Sequence, residues 1–285
     1  MNEMERKICV VTGSNSGIGK ETALALAGKG ATVVMAVRSR EKGEATIQEI
    51  LKEIPDASLD LMICDVSSRK SIEDFVEEFT GKYSRLEVLV NNAGAEFGRR
   101  QTTRDGFESS FAVNYLGPFL LTQKLLPTLS RSIPSRIINL SSGLHKQGHV
   151  DFNDLQSEKR YAGMKAYSNA KLMVLLWTYE LSRRLQGSGV SVNAVQPGFA
   201  ATNLGRNSGN LMQSVMFSLV RPMQTTAKKA AETSVYVASS PEVEGITGKC
   251  FAGSKEVASS PESYDVEEQK RLWDITVRML NLPEY

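Results

Sequence analysis

The chain has 285 residues, 41% of them hydrophobic, with 34 basic side chains against 32 acidic ones. That balance excludes a disordered or fibrous protein. The net charge is only +2, and the basic pairs Arg99/Arg100, Arg183/Arg184 and Lys228/Lys229 are scattered, which argues against a nucleic-acid binder with its charge on one face.

The first apolar run, 8–11, is too short for a signal-peptide core and ends at Gly13. The longest other apolar stretch, 172–177, is far below the ~20 residues a bilayer requires, so no membrane span is expected. Short β-branched runs at 8–11, 32–37, 59–63, 86–90, 136–140 and 191–195 predict strands. Between them, helical spacing of apolar residues predicts helices over 18–29, 41–54, 71–83, 107–126 and 166–185. Apolar strands alternating with helices predict a parallel sheet covered on both faces, the doubly wound Rossmann-type α/β arrangement.

The regularity weakens after Val195. Residues 205–224 are rich in Asn, Ser, Met and Phe, and Leu211, Val215, Met216 and Leu219 recur there at helical spacing. This reads as a substrate lid over about 205–225, making an apolar pocket wall. A helix over 226–239, a strand over 249–251 and a closing helix over 265–280 follow, the last opened by a capping box of Asp265 and Glu268. Residues 1–285 form one domain. Cys9, Cys64 and Cys250 show no metal-ligand spacing and read as buried thiols, which fits a cytoplasmic protein. His145 and His149 read as loop residues on the substrate approach, and no metal is expected.

Directly after the first strand, Gly13-Ser14-Asn15-Ser16-Gly17-Ile18-Gly19 opens into a helix. Glycines let the backbone turn sharply and approach a pyrophosphate, and the helix N-terminus offers free N–H groups and a positive dipole end. An NAD site places an acidic residue about 20 residues further on, for the ribose hydroxyl. Arg38 stands there instead, with no carboxylate before Glu41, and its planar fork suits a 2′-phosphate, so the cofactor is expected to be NADP(H).

Ligands of open α/β sheets bind beyond the carboxyl ends of the strands. Here those ends carry Thr12-Gly13, Arg38, Asp65-Val66, Asn91-Asn92-Ala93-Gly94, Ser141-Ser142 and Pro197-Gly198. Tyr167 and Lys171, four apart on a helix, share a face, and a nearby ammonium would favour the phenolate.

These motifs, with Tyr167-Ser168-Asn169-Ala170-Lys171, resemble the short-chain dehydrogenase/reductase family over nearly the whole chain. Asn114-Tyr115-Leu116-Gly117-Pro118-Phe119 and Asp154-Leu155-Gln156 resemble its retinol-dehydrogenase-like branch. The resemblance implies an oxidoreductase moving a hydride between NADP(H) and the carbonyl or alcohol of a small apolar substrate. It implies Tyr167 as general acid/base, Lys171 as its partner and a ribose ligand, Ser142 rather than Ser141 as donor to the substrate oxygen, and Asn114 as holder of a relay water. Asp65 would meet the adenine and Asn91 the adenosine ribose through its backbone, with Val66, Ala93 and Gly94 beside them. Thr202, after Pro197 and Gly198, would meet the nicotinamide amide. Family members dimerise through the helices bearing Asn114 and Tyr167, so a homodimer is one expectation.

The branch's membrane-bound members carry an N-terminal anchor, and the short first run here argues against retinoid specificity. Two alternatives stand beside carbonyl chemistry. A C=C reductase of the protochlorophyllide type would carry a cysteine just after Lys171, where Leu172 and Met173 stand. An NADPH-sensing regulatory protein on the same fold would be expected to lose catalytic residues, and all four are present.

Overall fold

The computed structural model describes residues 4–198 and 226–283. The β-branched runs become β1 (Ile8–Thr12), β2 (Thr32–Val37), β3 (Leu59–Ile63), β4 (Val88–Asn91), β5 (Ser135–Leu140), β6 (Val190–Val195) and β7 (Cys250–Ala252). These lie parallel in the order β3-β2-β1-β4-β5-β6-β7, and a short antiparallel β8 (Lys255–Glu256) completes the edge. β1 pairs with β2 on one side and β4 on the other, so the strand order reverses there and a crevice opens at their carboxyl ends.

Side chains alternate across a strand, and here both faces are covered. Val10, Val34, Met62, Leu89, Ile137 and Val192 enter one core with Phe75, Phe119, Trp177 and Trp273. Those aromatics come from α3 (Arg69–Lys82), α5 (Gly117–Ser130), α6 (Gly163–Arg184) and α8 (Val266–Met279). Their strand neighbours Cys9, Val11, Val33, Met35, Val88 and Ile138 enter the other core. It is closed by α1 (Gly17–Gly28), α2 (Arg40–Glu53) and α7 (Ala227–Ser239). This double burial is why the strand sequences are apolar without interruption. Cys9, Cys64 and Cys250 are all buried, and burial pushes the Cys64 thiol up to about 12, as expected of inert core thiols.

Three expectations change. The helix over 107–126 is broken into α4 (Ser109–Phe111), a π-turn (Ala112–Leu116) and α5. It starts late because the Glu108 carboxylate caps it, accepting from the Ser110 and Phe111 N–H groups at 2.7 Å each. In the π-turn the Gly117 N–H reaches back five residues to the Ala112 carbonyl. Gly117 also passes so close to the loop after β3 that a Cβ there would lie 1.9 Å from the Val66 carbonyl oxygen.

The hairpin of β7 and β8 was not expected at all, since exposed Lys255 and Glu256 carry no apolar signal. Asp265 does cap α8, its Oδ1 accepting from Glu267 and Glu268 N–H at 2.9 and 3.0 Å. The box is not reciprocal, however, because the Asp265 N–H donates to the Glu262 carbonyl instead. Thr202 and the lid over 205–225 lie outside the described residues. No helix among the described residues is long and apolar enough to cross a membrane.

Candidate active site

The glycine-rich turn is built by the β1–β4 junction. The Thr12 hydroxyl oxygen accepts from the N–H groups of Asn92 and Ala93 at 3.0 and 2.9 Å, and Asn92 Nδ2 donates to the Thr12 carbonyl at 2.7 Å. Gly13 turns with φ +63° and Gly17 with φ +55°. Gly19 is needed for space, since a Cβ there would sit 2.3 Å from Asn92 Nδ2 and 2.5 Å from the Gly13 carbonyl oxygen. Asn15 is tied to α2, its carbonyl accepting from Thr46 Oγ1 at 3.0 Å.

The first turn of α1 is left open: Ser16 occupies the N-cap without a side-chain cap, and Ile18 lies at the border of burial beside it. The Ser14 hydroxyl is fully buried yet has no hydrogen-bond partner. An uncapped helix N-terminus, an orphaned hydroxyl and a backbone that tolerates no side chain fit a dinucleotide pyrophosphate.

Arg38 follows β2 directly and is exposed, on the rim of the same crevice. Asp65 spends Oδ1 on its own turn, accepting from Ser67 N and Oγ at 3.0 and 2.7 Å, and Val66 beside it is buried. Asn91 turns its side chain into the sheet, donating to Thr122 Oγ1 at 2.9 Å and Asn139 Oδ1 at 2.8 Å. Its backbone is therefore what it can offer a ligand. Pro197 and Gly198, the latter with φ +77°, follow β6 at the same edge.

The acid–base residues converge beside this turn. The Ser142 hydroxyl, at the start of a 3-10 turn after β5, lies close enough to the Tyr167 phenol to lower its pKa. Ser141 is committed elsewhere, donating to the Lys171 carbonyl at 2.8 Å, so geometry selects Ser142. Lys171 Nζ donates to the Leu140 carbonyl at 2.8 Å and stands 5.5 Å from the Tyr167 ring centre.

Asn114 sits in the π-turn, its amide donating to the carbonyls of Ala95 and Ser110 at 2.7 and 2.9 Å. A Cβ on Gly94 would lie 2.8 Å from Asn114 Oδ1 and 3.2 Å from Lys171 Nζ. Glycine therefore keeps the space between those two groups clear.

Burial dominates the electrostatics of this pair. Burial pushes the Tyr167 phenol up to about 12, opposed by the nearby Ser142 hydroxyl and reinforced by the charge of Glu96. Burial brings Lys171 down to about 7. For both groups burial is the largest influence.

Two site features were not legible in the sequence. His145 does not line an approach route: it is fully buried, with Nδ1 at 2.6 Å from the Ser142 carbonyl and Nε2 accepting from Ser260 N at 3.0 Å. It ties the Ser142 turn to the segment before α8. Only the exposed His149, 2.8 Å from Glu262, stays at the surface. The second feature is Glu96, which is 2% exposed, with neither carboxylate oxygen hydrogen-bonded.

A model of the short chain dehydrogenase family matches residues 7–212. The chain belongs to that family. Retinol dehydrogenase 13 of Mus musculus is 45% identical over 97% of this chain and 84% of its own length. Retinol dehydrogenase 12 of Homo sapiens is 40% identical over 98% and 88%. An uncharacterised protein from Mycobacterium paratuberculosis has a crystal structure that matches with TM-score 0.80 and 31% identity, over 98% of this chain and 94% of that one. A short chain dehydrogenase from Shigella flexneri, solved with NADP, shares the fold at TM-score 0.71 and 23% identity, over 89% of this chain and 99% of that one. The protein is a retinol-dehydrogenase-like oxidoreductase of alcohol and carbonyl groups, on a family fold that takes nicotinamide cofactors.

Proposed function

We propose that this oxidoreductase uses NADP(H) to interconvert the carbonyl and alcohol of a small, largely apolar substrate, with Tyr167 as general acid/base. The observation that carries the reading is the convergence of Ser142, Tyr167 and Lys171 beside an uncapped glycine turn. Gly13 to Gly19 would hold the pyrophosphate, Arg38 the 2′-phosphate, and Lys171 the nicotinamide ribose. The exposed Arg38 and the absence of a carboxylate at the end of β2 support NADP(H) over NAD(H).

When bound, the cofactor supplies or accepts the hydride. The chain's own residues manage the oxygen and its proton. Ser142 donates to the substrate oxygen and stabilises charge developing there. Tyr167 delivers its proton to that oxygen. A phenol raised by burial keeps its proton at neutral pH, as a proton donor to the substrate oxygen must. Lys171 Nζ stands near the Tyr167 ring, and it borders the same space beside Gly94 as Asn114 Oδ1, so the two would pass on the proton that replaces the one Tyr167 gives up. The buried thiols fit a reducing compartment, and we place the protein in the cytoplasm on that ground.

The test is to bind NADPH, followed by cofactor fluorescence, and then to monitor its oxidation with apolar aldehydes, ketones and quinones, retinal among them. Turnover lost in Tyr167→Phe supports the assignment. NADPH binding with no turnover across the panel counts against it.

A further inference from the structure

An ionisable group buried without partners destabilises a fold, and folded proteins rarely leave one so. Glu96 is such a group. It stands two residues after Gly94, in the loop that leaves β4 at the crevice. A Cβ on Gly163 would lie 2.3 Å from Glu96 Oε1, so the carboxylate packs directly on the first residue of α6. Gly163 and Tyr167 are four apart and share one face of that helix. Glu96 therefore stands about one turn above the phenol, on the phenol's own side, close enough for its charge to act on Tyr167.

A purely structural role would show in bonds. The neighbouring acid Glu108 shows them, each oxygen accepting a backbone N–H of α4. Tyr161, which flanks both acids, gives its hydroxyl proton to the Phe97 carbonyl at 2.7 Å and not to Glu96. The α6 N–H groups beside Glu96 are not used either. Both oxygens thus remain without a partner, beside the reacting group.

We propose that Glu96 is a substrate-specificity residue, accepting a hydrogen bond from a hydroxyl or ammonium group that the substrate carries near its reacting carbon. This rests on the carbonyl-reductase reading above, and it adds one polar point to an otherwise apolar substrate. Burial holds the Glu96 carboxyl above the usual carboxylate range, which suits exchange between a neutral acid and a paired carboxylate when a donor arrives.

The experiment compares meta-hydroxymethylbenzaldehyde with meta-ethylbenzaldehyde, and the para pair likewise, as NADPH-dependent substrates of the wild type, Glu96→Leu and Glu96→Gln. The hydroxymethyl compound should be preferred by the wild type, in kcat/KM, by roughly tenfold or more for one isomer. Glu96→Leu should reverse that ratio, and Glu96→Gln, which still accepts, should keep part of it. An unchanged ratio in Glu96→Leu overturns the proposal.

Melting of the ligand-free proteins gives a second readout. Removing an unpaired buried carboxyl should raise the Tm of Glu96→Leu, whereas a fall would assign Glu96 to holding α6 and overturn the proposal. If the wild type reduces no aldehyde, the carbonyl reading has failed. The affinities of the corresponding hydroxymethyl and ethyl benzyl alcohols for the NADP⁺-loaded protein then decide on Glu96 alone. A preference for the hydroxymethyl alcohol that Glu96→Leu abolishes supports it; no preference, or no binding of either, overturns it.

Discussion

The ammonium of Lys171 is held by the carbonyl of Leu140 at 2.8 Å, at the last residue of β5. That single bond does not repay its burial, and its pKa falls from 10.5 to about 7. Below pH 7 both folded and unfolded chains carry the proton, and the folded state bears the full desolvation cost. Between pH 7 and 10.5 the unfolded chain binds more protons at this site, so its contribution to stability rises with pH. The cost is on the order of 5 kcal/mol at low pH. Lys171→Met should therefore melt higher than the wild type at pH 6, by about 4 °C or more, with the gap narrowing toward pH 10. An equal gap at both pH values would contradict the buried, strained charge.

Tyr167→Phe removes the proton donor while leaving the ring in its packing. NADPH binding should change less than threefold, and carbonyl reduction should fall by about 10²-fold or more. Stopped-flow fluorescence and absorbance at the cofactor band separate the two.

Arg38→Asp replaces the exposed fork at the end of β2 with a carboxylate. The charged hydrogen bonds of a 2′-phosphate are worth about 1.5–3 kcal/mol each, so the Kd for NADPH should rise by roughly 10- to 100-fold. That for NADH should fall. Titration of both cofactors against both proteins checks the sign, and equal affinities in the variant would argue for a different 2′-phosphate ligand.

His145 is held below its usual pKa by burial, and its Nε2 must stay unprotonated to accept from Ser260. As pH drops through 6.5, the unfolded chain takes up a proton that the folded chain refuses, so stability falls. His145→Gln should be less stable at pH 7.5, by about 2 kcal/mol, and should lose less between pH 7 and 5. Its kcat should drop several-fold with KM for NADPH little changed, because the Ser142 turn loses its strut. Denaturant unfolding across pH, with steady-state rates, measures both.

The sheet was readable because double burial writes its strands as apolar runs; 32–37 and 59–63 coincide with β2 and β3. The Tyr167/Lys171 pair and the glycine turn were readable because local spacing determines their geometry. What failed was set by distant partners. The π-turn depends on the approach of Gly117 to Val66, and the strut at His145 depends on Ser260, 115 residues away. Glu96 failed for another reason: an acid in a loop reads as solvated unless the fold shows that it is enclosed.

The clasp of Thr12 with Asn92 and Ala93 also bears on how the protein is made. The residues it joins are about 80 apart in the chain, and the glycine turn takes its shape from both. A nascent chain that has emerged only through α3 carries the whole glycine motif but lacks the strand against which it is moulded. Cofactor affinity should thus switch on as β4 docks, making dinucleotide capture a report on the assembly of the central sheet rather than a property of an early, separable finger.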